Sequence, residues 1–310
     1  MTAQGAHIER PYSAGGIVKR GLITWDKSQI PPEVFEERVR RVRTVLSERD
    51  LPALVVYSEL WRSNQGRFFS NYMPYFNRAL LILPRDTPPT LLCGLSPRVY
   101  GWIRSVTTID DVRPAGNFSK PLFELAAERK WLRIGLLDLV QFPYDIYQAL
   151  RGGSMSLVNV ESAAVFSPAD DKAELEMRLK AWHDAAVVLE DEIPNGVGLV
   201  DHHFVGRLER RFRRAGVEDL IVLLTNGKTV PAPPAGVTLE EGFSVSVALE
   251  YRGHWVRLSR THGMMVATSP ALVERLDGSY PYECGSGKIR AEHYEYVHNG
   301  KRLFYGNTIL

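Results

Sequence analysis

LEEGFSVSVALEYRGHWVRLSRTHG, residues 239–263, is the stretch on which the reading of this chain turns. It reads as two consecutive strands, Phe243–Tyr251 and Trp255–Val266, separated only by Arg252-Gly253-His254. A third strand, Leu220–Leu224, precedes them, and the proline- and glycine-rich segment Asn226–Gly242 between is loop. Further upstream lie two helices. One covers about Ala173–Ile193 and stops at Pro194-Asn195-Gly196; Ser167 or Asp170 stands ready to cap it. The other covers His202–Arg214 with Asp201 as its expected cap. Downstream, Pro270–Leu276 is read as a short helix. Tyr294–Val297 and Arg302–Tyr305 flank His298-Asn299-Gly300-Lys301, a hairpin signal because both central residues tolerate positive φ.

Toward the N-terminus, strands alternate with helices. Glu33–Arg49 is a helix whose apolar positions Val34, Phe35, Val39, Val42, Val45 and Leu46 keep helical spacing. Its arginines, 38, 40, 41 and 43, interleave with Glu33, Glu36, Glu37 and Glu48 and read as a solvated face. Leu54–Tyr57, Ala79–Leu83, Pro89–Cys93 and Ile134–Leu137 are short apolar runs fit for buried strands. Helices are expected at about Leu122–Arg129 and at Tyr144–Arg151. This order argues for an α/β layer. The divisions expected are an arm over 1–30, an α/β domain over 31–166, a second domain over 172–267, and a tail over 268–310 ending in the hairpin.

Composition excludes more than it identifies. The chain has 310 residues, 45% hydrophobic and 24% charged, with a net charge of +2. That is ordinary globular composition, with no general reason to expect nucleic acid or an anionic membrane as partner. The apolar runs are far shorter than the ~20 residues of a membrane span, and Met1–Ile17 has no secretory apolar core. Two distant cysteines, Cys93 and Cys284, exclude a disulfide framework and fit a cytoplasmic location.

From about Pro32 to Val266 the chain resembles the creatinase/aminopeptidase P/prolidase family. The resemblance is carried by LPALVVYSE (Leu51–Glu59), by FFSNY…RALLILPRDTPPTLL (Phe68–Leu92), and by KAELEMRLKAWHDAA (Lys172–Ala186). It is also carried by IPNGVGLVDHHFVGRLERRFRRAGVEDL (Ile193–Leu220). Most specific is the double strand quoted above, which resembles the family pattern ending in GY-x-x-D-x-x-R-T; Gly253, Arg260 and Thr261 stand in its places. The resemblance implies an α/β (α+β) fold: a creatinase-like N-terminal α/β domain followed by about half of a pita-bread domain. Metal-dependent relatives hold two cations through two Asp, one His and two Glu; metal-free relatives use a His as acid/base.

This chain departs from that pattern at the chemistry. Aligned on Arg260-Thr261, the family's two Asp positions fall on Ser246 and Arg257. A guanidinium has no lone pair for a metal, and a hydroxyl is a weak neutral ligand. No His lies between His203 and His254, and only residues 267–310 follow Val266, so the second half is expected to be mostly absent. In the tail, His293, His298, Glu283, Glu292 and Glu295 lack the flanking sequence of ligands. No metal and no cofactor is therefore expected. An exposed sheet edge would need cover from the tail, a second copy, or another subunit.

The candidate site residues are Arg257, His254 and His262, with Tyr72, Tyr75, Phe76 and Arg78 as possible cleft-lining residues. Arg257 could bind a carboxylate, or its charge could replace that of the metal. Asp201-His202-His203 does not make a metal site, because consecutive helical residues diverge by about 100°. Three functions remain open. One is a metal-free, non-catalytic or substrate-binding subunit of a homo- or hetero-oligomer, possibly with a fuller creatinase-like chain, in C–N bond hydrolysis. The second is a stand-alone metal-independent hydrolase or lyase acting on a small carboxylate. The third is a non-catalytic binding or regulatory module.

Overall fold

The computed structural model describes residues 24–75, 77–166, 171–226 and 231–263, together with strand backbone within 274–309. Its first part contains α1 (Pro32–Glu48), β1 (Ala53–Glu59), α2 (Asn64–Ser70), β2 (Arg78–Pro84), β3 (Thr90–Cys93), α3 (Tyr100–Val106), β4 (Asp111–Pro114), α4 (Ser119–Glu128), β5 (Arg133–Leu137), α5 (Tyr144–Arg151) and β6 (Ser156–Val160). The strands form one sheet in the order β4-β3-β2-β1-β5-β6. β1–β2 and β2–β3 are antiparallel, whereas β1–β5, β5–β6 and β3–β4 are parallel. Both faces are covered, which is why the strand sequences are continuous apolar runs and not alternating ones. Leu54, Val56, Leu81 and Leu83 pack on one side with Val42 and Leu46 of α1. Val55, Leu80 and Ile82 pack on the other with Leu122 of α4 and Leu150 of α5.

The second part contains α6 (Lys172–Glu192), α7 (Asp201–Arg214), β7 (Asp219–Thr225), β8 (Ser244–Tyr251), β9 (His254–Thr261), β10 (Glu274–Arg275), β11 (Pro281–Cys284), β12 (Gly287–His298) and β13 (Lys301–Ile309). Six of its strands run in the order β10-β12-β13-β9-β8-β7, with β11 paired to β12. Val245, Val247 and Leu249 of β8 and Val256 and Leu258 of β9 form a core with Leu189 of α6 and Phe204, Leu208 and Phe212 of α7. Helix α1 serves both parts, since its Phe35 packs in this second core and its Val39 in the first. The expected hairpin is β12–β13, and β13 pairs with β9 through Gly306↔Ser259, Asn307↔Leu258 and Thr308↔Arg257. β13 thus occupies the edge of β9 opposite β8. No helix among the described residues is long and apolar enough to cross a membrane.

Several local expectations need correction. Asp171 caps α6, accepting the Glu174 N–H at 2.9 Å; Ser167 and Asp170 lie outside the described residues. Asp201 does not cap α7. Its carboxylate accepts the Ala235 and Gly236 N–H groups at 2.7 and 2.9 Å, tying the long loop to the helix start. Glu274–Arg275, expected to be helical, pairs as a strand with β12. Arg38, expected on a solvated face, is buried and bonds Asp171 at 2.6 Å.

Candidate functional site

The β8–β9 hairpin is closed by Arg252 at φ 52° and Gly253 at φ 86°. Two positive φ values make the tight turn whose twist matches the strands. The short turn fixes a register in which Ser246 faces Ser259 and Ala248 faces Arg257. Alternation then assigns the faces. Ser244, Ser246, Arg257, Ser259 and Thr261 share one face, and His254, Val256, Leu258 and Arg260 share the other, toward the helices.

On the first face the Ser246 and Ser259 hydroxyls bond each other at 2.6 Å, and those of Ser244 and Thr261 at 2.7 Å. Arg257 is exposed beside them. This donor set does not fit a divalent-metal centre. The hydroxyls are weak neutral ligands already bonded to one another, and the guanidinium offers no lone pair. Among the described residues no group of three or more His, Cys, Asp or Glu could hold a metal ion.

The structure does not bring Arg257, His254 and His262 together. His254 is buried on the opposite face of β9, with Nδ1 3.7 Å from Glu174 Oε1. His262 stacks on Phe243 with ring centroids 5.6 Å apart, at the rim of the second core. Arg260 is buried and donates to the Ser259 carbonyl at 3.0 Å. Of the expected cleft-lining residues, Tyr72 is instead a core residue of the first part, its hydroxyl 3.3 Å from Cys93 Sγ. Arg78 pairs with Asp145 at 2.9 Å, Tyr75 is half-buried, and Phe76 lies outside the described residues.

A second constellation, absent from the sequence reading, lies where the two parts meet. Arg67 of α2 makes a bidentate pair with Glu218, the two side chains only 2% and 6% exposed. Arg38 of α1 reaches Asp171 and also donates to the Phe68 carbonyl at 2.8 Å. On α6, Glu174 accepts from Arg178 at 2.5 Å and approaches His254. Burial works to raise the Glu174 carboxyl, but His254 and the Arg178 guanidinium outweigh it and hold the group at about 2. Burial pushes the His254 imidazole below its ordinary value, only partly opposed by Glu174. One sequence signal could have revealed Arg38. It follows Phe35 by three residues and precedes Val39, so it belongs to the apolar stripe of α1.

These groups surround a cavity of about 240 Å³ that also touches Phe35, Phe68, Phe166 and the β8–β9 turn. Glycine suits position 253 because φ 86° strains an L side chain and a Cβ would stand 3.1 Å from Arg67 Cδ.

No protein-family model matches the sequence, and no curated protein matches it. Solved structures do match. The Xaa-Pro dipeptidase from Bacillus anthracis superposes with a TM-score of 0.62 at 11% identity, over 89% of this chain and 97% of that one. The prolidase from Pyrococcus horikoshii gives 0.66 at 12% identity, over 88% and 94%. The X-Pro aminopeptidase from Thermotoga maritima gives 0.64 at 12% identity, over 84% and 93%. The chain has the fold of these proteins, as the sequence resemblance implied.

Proposed function

We propose that the chain is a degenerate relative of the creatinase/aminopeptidase P/prolidase family that binds and does not hydrolyse. It serves as a metal-independent subunit of an assembly engaged in C–N bond hydrolysis, beside a fuller creatinase-like chain. The observation that carries this reading is the first face of β8–β9. Where the family resemblance calls for two metal-binding aspartates, the face presents the Ser246–Ser259 hydroxyl pair and the exposed cation of Arg257. A positive charge there repels a divalent ion and suits a carboxylate. The stand-alone hydrolase reading needs Arg257 and the histidines in one place, and strand alternation puts Arg257 and His254 on opposite faces while His262 stacks on Phe243.

The test is turnover of an Xaa-Pro dipeptide by the purified chain with added manganese, cobalt or zinc, followed by metal analysis and native mass of the protein from its own host. The expected result is no turnover, no stoichiometric metal, and a complex with a second creatinase-like chain. Metal-stimulated turnover abolished by Ser246→Ala overturns the reading.

A further inference from the structure

We infer that the cavity between the two parts of the molecule is a binding site for a small carboxylate with a flat apolar body, such as an aryl carboxylate. It is separate from the sheet face carrying Ser246 and Arg257, so either reading can fail without the other.

Size and shape come first. A void of about 150 Å³ accommodates a benzene ring, so about 240 Å³ takes a ring with a carboxylate attached. Phe35, Phe68, Phe166 and Trp255 supply flat apolar walls.

Charge comes next. The lining carries four arginines, 38, 67, 178 and 252, against a single carboxylate, Glu174. Asp171 and Glu218 neutralise Arg38 and Arg67, and Glu174 neutralises Arg178. Arg252 remains, donating to the Thr24 carbonyl at 3.1 Å, with the surface carboxylate of Asp26 feeling its charge. His254, kept neutral by burial, adds none. Glu250, also buried, acts on Arg67 as well, so among the described residues Arg252 is the one lining cation with no carboxylate bonded to it, which suits one negative charge in place of the two of a phosphate.

Access to the guanidinium groups is the third observation. Arg38 Nη2 and Arg67 Nε are buried without a hydrogen-bond partner, on side chains each only 2% exposed. Both atoms are sealed from solvent, so a ligand meets instead the partly exposed guanidinium of Arg252, whose natural planar acceptor is a carboxylate. Finally, Arg252 holds φ 52° at a turn position that favours Asn, Asp or Gly. Backbone strain retained at an arginine on a cavity wall is the kind kept for a ligand.

The experiment is calorimetric titration of the full chain with benzoate at neutral pH and low salt, with inorganic phosphate in parallel, on the parent and on Arg252→Gly. Glycine accepts the turn's backbone, so this variant is expected to melt no lower than the parent without ligand. Saturable 1:1 benzoate binding, about tenfold to a hundredfold weaker in the variant, is the expected result. Arg252→Asn, which also tolerates the turn, is the second variant and should show the same loss. Absence of benzoate binding, equal affinity in both variants, or tighter binding of phosphate each overturns the proposal.

Discussion

Replacing Arg67 with Met should weaken the whole molecule through a single buried charge. Arg67 lies on α2 and Glu218 just before β7, 151 positions away, and both are almost wholly buried. The two share a bidentate pair, with Nη2 donating to Oε1 at 2.7 Å. Arg213, the next guanidinium, donates to the Glu218 backbone carbonyl and so leaves the carboxylate to Arg67. Burial works to lower the Arg67 pKa, and the Glu218 charge and hydrogen bond reverse it, so the guanidinium stays charged. Removing one member of such a pair typically costs about 3–5 kcal/mol, because the other charge is left buried and unmatched. Against a domain stability of about 5–15 kcal/mol, that is a large fraction. Arg67→Met/Glu218→Leu removes both charges and should recover most of the loss, giving a coupling of at least about 2 kcal/mol. Urea unfolding, followed by far-ultraviolet circular dichroism and tryptophan fluorescence, measures each corner of the cycle. The pair joins the two parts, so the single variant should also make the two probes diverge into separate transitions. A loss under about 1 kcal/mol, or a double variant whose loss is the sum of the singles, would refute the reasoning.

Acid should destabilise the protein in two overlapping stages. The depressed His254 imidazole favours folding less as pH falls below its unfolded value of about 6.5, and Glu174, held at about 2 against about 4.3 unfolded, loses its contribution between about pH 5 and 2. Melting temperature measured from pH 8 to 3 should fall throughout, and a flat profile down to pH 5 would contradict the His254 part. Gly253→Ala forces an L side chain to φ 86° and against Arg67, so a loss of about 1–2 kcal/mol is expected in the same urea assay. Asp201→Ala leaves the Ala235 and Gly236 amides without their acceptor. Limited proteolysis should then cut that segment faster while α7 keeps its helicity, and an unchanged cleavage rate would count against the tie.

The strands of the first sheet were legible because that sheet is buried on both faces and writes itself as apolar runs. The β8–β9 pair was legible because its turn is only two residues long. Helix α2 was not. It has seven residues and no side-chain cap, and rests on tertiary contacts such as buried Phe69 and the close approach of Gly66 to Ser58. Short helices of that kind owe little to propensity. The junction cluster was illegible for a different reason. Arg38 and Asp171 are 133 positions apart, and nothing local marks them as partners. The grouping of Arg257 with His254 ignored a rule the sequence did contain, since residues three apart on a strand point to opposite faces.

That alternation also keeps apart the two proposed roles of one hairpin. Its outer face holds paired hydroxyls and Arg257, so changes there leave the helix-facing core of Val256 and Leu258 untouched. Its turn delivers Arg252, Gly253 and His254 to the junction, where their positions depend on α1, α2 and α6. A substitution at Arg257 should therefore alter any ligand response of the sheet face while leaving the stability cycle of Arg67 and Glu218 unmoved. Sites this far apart in contacts add independently. If Arg257→Ala instead shifted that coupling, the two faces would be communicating through the β9 backbone. The hairpin, and not the two separate faces, would then be the functional unit.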